Sequence, residues 1–230
     1  PDAVIGERAF RRLLALIAIG VCATGAPWVL GSGMPYGDDN SAHFALAVHI
    51  GSLMESGQSN AWWHHSNLGI PLFAAYHPLP AVTMGAVLAA LGNVVEPVVL
   101  FKASIVLCWA LMPLSWATGG RMIGLKAPTA LLLGVLTLAV HDPDSIGFGI
   151  RSSVFRGLYT QHVGLLLLPL AVGQVWRADA ADSTSVLRPA VVFSALVMSH
   201  LWVGLYGAIC IGAMVLAEPQ FIIRRSRRLV

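Results

Sequence analysis

Charged side chains are scarce in this chain: Asp, Glu, Lys and Arg make up 11% of its 230 residues, whereas a soluble domain carries about a quarter. Hydrophobic residues reach 57%, more than the core of a soluble protein of this size requires. Cysteine is also rare. Cys22, Cys108 and Cys210 lie far apart inside apolar segments, which excludes a disulfide framework and a paired-cysteine metal site. There is no P-loop, GxGxxG, HExxH or GxSxG element, which argues against an ATP-driven pump, a nicotinamide enzyme, a zincin and a serine hydrolase. Heptads, solenoid repeats and low-complexity stretches are missing too.

What is present is apolar sequence that recurs along the whole length. The runs are 13–30, 81–91, 98–118, 128–140, 158–176 and 189–217. A cleaved signal would account for only the first. The expected fold class is therefore all-α: a polytopic transmembrane helical bundle of about six or seven membrane segments, forming one transmembrane domain. The net charge of +3 conceals two basic clusters, Arg8, Arg11 and Arg12 before the first run and Arg224, Arg225, Arg227 and Arg228 at the end. Clusters beside spans orient a membrane protein, here with both ends cytoplasmic. Because they abut apolar helices without interleaved aromatics, nucleic-acid binding is disfavoured. The chain opens at Pro1 without a methionine, as initiator removal or excision would leave it, and closes on a basic segment just after a span, which leaves room for it to be the N-terminal part of a longer protein.

Residues 31–80 are too polar for hydrocarbon and form the expected first extracytoplasmic loop. Asp39, Asn40 and Ser41 are N-cap candidates for an interfacial helix reaching about Ser56. The run 81–91 spans only roughly 17 Å at 1.5 Å per residue, so it is short or re-entrant. If it does not cross, Arg121 and Lys126 are cytoplasmic and 141–157 lies outside; if it does, the later loops change sides. Ser199, His200 and Trp202 divide the last run into two shorter helices.

Several constellations bear chemistry. Asp38 and Asp39 follow the first span, where a carboxylate's pKa is easily perturbed, and suit a general base or a cation ligand. Asp39 and His43 are four apart and share a helix face, although capping and solvation explain them as well. Trp62, Trp63, His64 and His65, followed by Tyr76 and His77, combine aromatic faces with imidazoles as a sugar site does. Interfacial anchoring is the plainer account of the tryptophans. Asp142 and Asp144 flank Pro143, and two such hard oxygen ligands suit a divalent cation such as Mg or Mn; a simple turn has the same pattern. Arg151 and Arg156 follow and could grip phosphate bidentately. Lys102, Gln161, His162 and His200 are polar residues at or near membrane depth, explained by function or by packing and snorkelling.

The stretch "GDDNSAHFALAVHIGSLMESGQSNAWW", the following "NLGIPLFAAYHPLP" and a later "SHLWVG" resemble GT-C type integral membrane glycosyltransferases. The nearest resemblance is to the 6-pyruvoyl-tetrahydropterin synthase-related membrane proteins of bacteria and archaea, and it covers about the first 160 residues. It implies transfer of a sugar from a polyprenyl-phosphate carrier to an extracytoplasmic glycan, lipid or protein, with inversion at the anomeric carbon. Asp38 or Asp39 would match the base or metal-holding residue of the first outer loop. Asp142 and Asp144 would match a second acidic element, and Arg151 or Arg156 would bind the carrier phosphate. The chain departs from the family in having fewer apolar segments and no large soluble C-terminal domain. A transporter or flippase subunit, with Lys102, His162 and His200 along its path, and a non-catalytic assembly protein are the competing readings.

Overall fold

The computed structural model of the chain describes residues 6–37, 39–58, 62–63, 70–71, 77–140, 148–180 and 186–217. These are almost entirely helical, as the all-α expectation required. The helices are α1 (Glu7–Leu30), α2 (Asn40–Glu55), α3 (Pro78–Leu91), α4 (Pro97–Met122), α5 (Ala127–Ala139), α6 (Tyr159–Ala180), α7 (Leu187–Ser199) and α8 (Leu201–Ala217). A π-helical turn, Ser152–Arg156, precedes α6. Between α2 and α3 the chain forms a small antiparallel ribbon, β1 (Trp62–Trp63) with β2 (Ile70–Pro71), in which Trp62 pairs with Pro71 and Trp63 with Ile70.

Proline sets three of the helix starts. Pro78, Pro97 and Pro128 occupy the first turns of α3, α4 and α5, where the missing N–H has no helical partner to lose and the fixed φ suits the helix. The last apolar run breaks at His200, whose extended backbone separates α7 from α8. Among the described residues α1 and α4 are long and apolar enough to cross a membrane, while α3, α5, α7 and α8 are apolar but shorter.

α4 is the axis of the bundle, with Phe101, Ile105, Trp109 and Met112 fully buried. α1 runs antiparallel to it, Gly25 meeting Val106 and Gly31 meeting Lys102. α5 folds back along α4 beside α1, with Gly134 against Pro113, Ala130 against Gly120, and Ala130 sharing a buried cluster with Phe10 and Leu14. α6 runs parallel to α4: Trp109 reaches Ser153 just before α6, the Ser115 hydroxyl donates to the Leu166 carbonyl, Gly119 abuts Pro169 and Met122 abuts Gly173. The pair α7 and α8 packs on α6, with α8 parallel to it through Gly164–Val203 and Leu168–Gly207. α3 is a shorter member, its buried Met84 and Leu88 joining the core that includes Phe101 and Ile105. It lies parallel along α2, Gly85 against Ala47 and Ile50, and Gly51 against Leu88.

The α4–α6 contact is built around one proline. Pro169 inside α6 supplies no N–H, so the carbonyl one turn earlier, at Leu165, loses its helical partner. The Trp116 indole N–H donates to that carbonyl at 3.2 Å. Neighbouring helices commonly repair proline-freed carbonyls in apolar surroundings in this way.

The helix directions give the bundle two unlike ends. At one end stand Arg8, Arg11 and Arg12 of α1, Arg121 of α4, Lys126 before α5, Arg177 of α6 and Arg188 of α7. The other end carries the C-terminus of α1, the N-termini of α2, α3, α6 and α8, and the π turn. Between the ends the surface exposes Leu16 and Ile19 of α1, Leu132 of α5, Val191 of α7 and Ile209 of α8. Apolar surface on so many helices marks contact with lipid or with another apolar surface.

Candidate functional site

At the end away from the basic cluster, the segment after α1 docks onto the π turn. The Asp39 backbone N–H donates to the Arg156 carbonyl at 3.3 Å. Asn40, wholly buried, aims its amide Nδ2 at three carbonyls: Tyr36 at 2.6 Å, Ser153 at 3.0 Å and Val154 at 3.2 Å. The Trp109 indole N–H in turn holds the Ser153 hydroxyl at 3.0 Å, tying the turn to α4. A π turn carries one more residue per loop than an α turn, so some of its carbonyls face outward, and Asn40 collects two of them.

Glycine makes the approach possible. Gly157 has φ +81°, and a Cβ there would lie 2.4 Å from the Asn40 nitrogen. Any other residue would be strained at this backbone and would push α2 off the turn.

The helix expected over Asp39–Ser56 is observed as Asn40–Glu55, but its start is made differently. Asp39 sits at the N-cap position without a side-chain capping bond, and Asn40 serves the neighbouring segment instead. The Asp39 carboxylate is therefore not committed to holding the helix.

His43 lies on the inner face of α2, 6.2 Å edge-on from the Tyr159 ring and with the Gly157 carbonyl beside it. Burial lowers its pKa to about 4, the Gly157 carbonyl opposing that shift and His77 adding to it. His77 precedes α3. Its Nδ1 accepts the Leu201 backbone N–H at 3.3 Å, and its ring lies 4.5 Å from that of His200. Burial lowers the His77 pKa, and it lowers that of His200 to about 4, with His77, His162 and His43 adding to the effect on His200. His200 thus stands within electrostatic reach of the three other histidines at helix starts, His43, His77 and His162.

The remaining candidates are placed as follows. Trp63 packs on Leu46, Ile50 and Ala81 and stacks on His49 at 6.2 Å, so it anchors the ribbon to α2, whereas Trp62 is exposed. Arg151 and Arg156 are exposed at the two ends of the π turn, the Arg151 guanidinium 6.0 Å from the Phe155 ring centroid. Asp38, His64, His65, Tyr76, Asp142 and Asp144 lie outside the described residues. Among the described residues, no group of three or more His, Cys, Asp or Glu side chains is close enough to hold a metal ion. Lys102, read as a residue at membrane depth, is 2% exposed and donates to the Gly31 carbonyl at the end of α1, 5.8 Å over the Trp28 ring. It satisfies a helix C-terminus, where a cation is favoured.

The structure brings Asp39, His43, His77 and the Arg156 segment to one end of the bundle, together with His162, His200, Asn40 and Gly157. Sequence reading treated Asn40 only as a cap and missed Gly157. The signal for Gly157 was a glycine directly before an apolar helix and directly after Arg156.

The fold and site define a helical protein with an apolar belt and a polar, histidine-bearing end. No family model, curated protein or solved structure matches the chain.

Proposed function

We propose that the chain is a multi-pass membrane glycosyltransferase of GT-C type, transferring a hexose or pentose from a polyprenyl-phosphate donor to an extracytoplasmic acceptor. The observation that carries this reading is the docking of the acidic segment after α1 onto the turn bearing Arg151 and Arg156. A candidate base and candidate phosphate-binding cations stand together at one end of the bundle. In this reading α1, α4, α5, α6, α7 and α8 cross the bilayer, with α2 and α3 at the outer surface. The seven basic residues at the opposite end support it, because Lys and Arg accumulate on the cytoplasmic side. The N-terminus is then cytoplasmic, in a bacterial or archaeal cytoplasmic membrane. Helices as short as α5, roughly 20 Å at 1.5 Å per residue, fit where the neighbours shield their ends.

The chemistry runs through this chain's own groups. A carboxylate at Asp38 or Asp39 takes the proton from an acceptor hydroxyl as its oxygen bonds to the anomeric carbon. The bond from that carbon to the phosphate oxygen breaks on the opposite face, inverting the centre. Arg151 and Arg156 stabilise the charge gathering on the departing phosphate. A divalent cation such as Mg or Mn, where bound, would assist that departure, with Asp142 and Asp144 as the expected ligands.

The test is sugar transfer from a polyprenyl-phosphate donor by Asp38→Asn and Asp39→Asn in reconstituted membranes. Loss of a general base lowers the rate by about 100-fold or more in one of them. Unchanged activity in both overturns the assignment.

A further inference from the structure

Each of the four clustered histidines marks a helix start. His43 is in the first turn of α2, His77 directly precedes α3, His162 is in the first turn of α6 and His200 directly precedes α8. The parallel pairs α2 with α3, and α6 with α8, bring these starts to the same end of the molecule. The 4.5 Å contact between His77 and His200 joins one pair to the other. Four positive helix ends therefore converge, a field that attracts an anion.

A second observation concerns His162, which is 1% exposed. Its Nδ1 bonds to the Leu158 carbonyl at 2.7 Å, which fixes the proton on Nδ1 and leaves a lone pair on Nε2. That Nε2 is buried and makes no hydrogen bond, although the Gly149 carbonyl is near it; as an acceptor, a carbonyl cannot supply what a lone pair needs. His200 Nδ1 is likewise buried without a partner. Buried polar atoms of this kind are rare and call for an occupant.

The chemistry of the occupant follows from these two demands. An alcohol offers a proton to Nε2 but leaves the converging helix ends without an anion. A carboxylate answers the helix ends but brings no proton. A phosphate monoester, whose second ionisation lies near pH 6, brings both: its P–OH donates to an imidazole while its other oxygens face the helix ends.

We propose that the junction of the N-termini of α2, α3, α6 and α8, lined by His162 and His200, binds a phosphate monoester. This deepens the transferase reading by giving the released carrier phosphate, which becomes a monoester once its sugar has left, an inner seat beside the Arg156–Gly157 segment. It stands on the junction alone, so phosphate binding without sugar transfer sinks the transferase and leaves the site.

Titration calorimetry of the detergent-solubilised chain with inorganic phosphate and with farnesyl phosphate tests it, using His162→Gln, His200→Gln and, as a control, Arg12→Ala. Wild type binds at least one probe, each histidine variant that stays folded weakens binding about tenfold or more, and Arg12→Ala leaves it unchanged. Equal binding of both probes identifies phosphate itself as the ligand, and binding of farnesyl phosphate alone identifies a lipid-borne one. The proposal fails if neither probe binds, or if His200→Gln, the milder change at a half-buried residue, binds as wild type does.

Discussion

Asn40 shows how much one side chain can organise. Its amide serves three carbonyls on two segments more than 110 positions apart, so its removal leaves buried acceptors without donors at a place water reaches poorly. Asn40→Ala should destabilise the fold by about 2–3 kcal/mol, and Asn40→Asp by more, because a carboxylate would face three carbonyl oxygens. Gly157→Ala should resemble Asn40→Ala; thermal unfolding in detergent measures all three. His43 adds a pH dependence whose sign is fixed by burial. Its folded pKa of about 4 lies below the usual 6.5, so on acidification the unfolded chain takes up the proton first. The stability this site contributes is whole above about pH 6.5 and is lost as pH falls towards 4. His43→Gln should flatten that part of the stability–pH curve, and an unchanged slope would show that His43 is not its source.

Among the elements, the α4–α6 pair is the most tightly specified. At Gly119 a Cβ would sit 2.5 Å from the Pro169 carbonyl oxygen, a contact with backbone that cannot swing aside. Gly119→Val should therefore part the two helices and cost about 1–3 kcal/mol or more, and Trp116→Phe about 1–2 kcal/mol through the orphaned Leu165 carbonyl. Equal melting temperatures for these variants and wild type would remove the proline-centred account. These elements were legible in the sequence to different degrees. The apolar runs, the prolines at 78, 97 and 128, and the polar break around His200 located helices to within a few residues, because each signal is local. The partner of α3 was not legible, since an apolar segment of that length fits a short crossing or a surface helix equally well. Nor was the docking of Asn40 on the π turn, which depends on a backbone irregularity that leaves no residue pattern. Lys102 was noticed for its depth, but its target is a main-chain carbonyl, and every residue has one of those.

At the scale of the molecule, the gathering of seven basic residues at the end opposite the histidines makes the topology testable. In a cysteine-free background, Ser32→Cys should react with a membrane-impermeant maleimide in intact cells, and Lys126→Cys only after permeabilisation. The reverse pattern would invert the protein in the bilayer, and labelling of both from one side would remove the crossing of α4. The bond from Lys102 to Gly31 bears on how such a molecule comes into being. The ammonium lies near the N-terminal end of α4, so in the proposed membrane topology it exchanges water for a new partner, and that partner exists only once α1 is in place. The first long helix thus acts as the receptor for the second, and the order in which they are synthesised is also the order in which they can be accommodated.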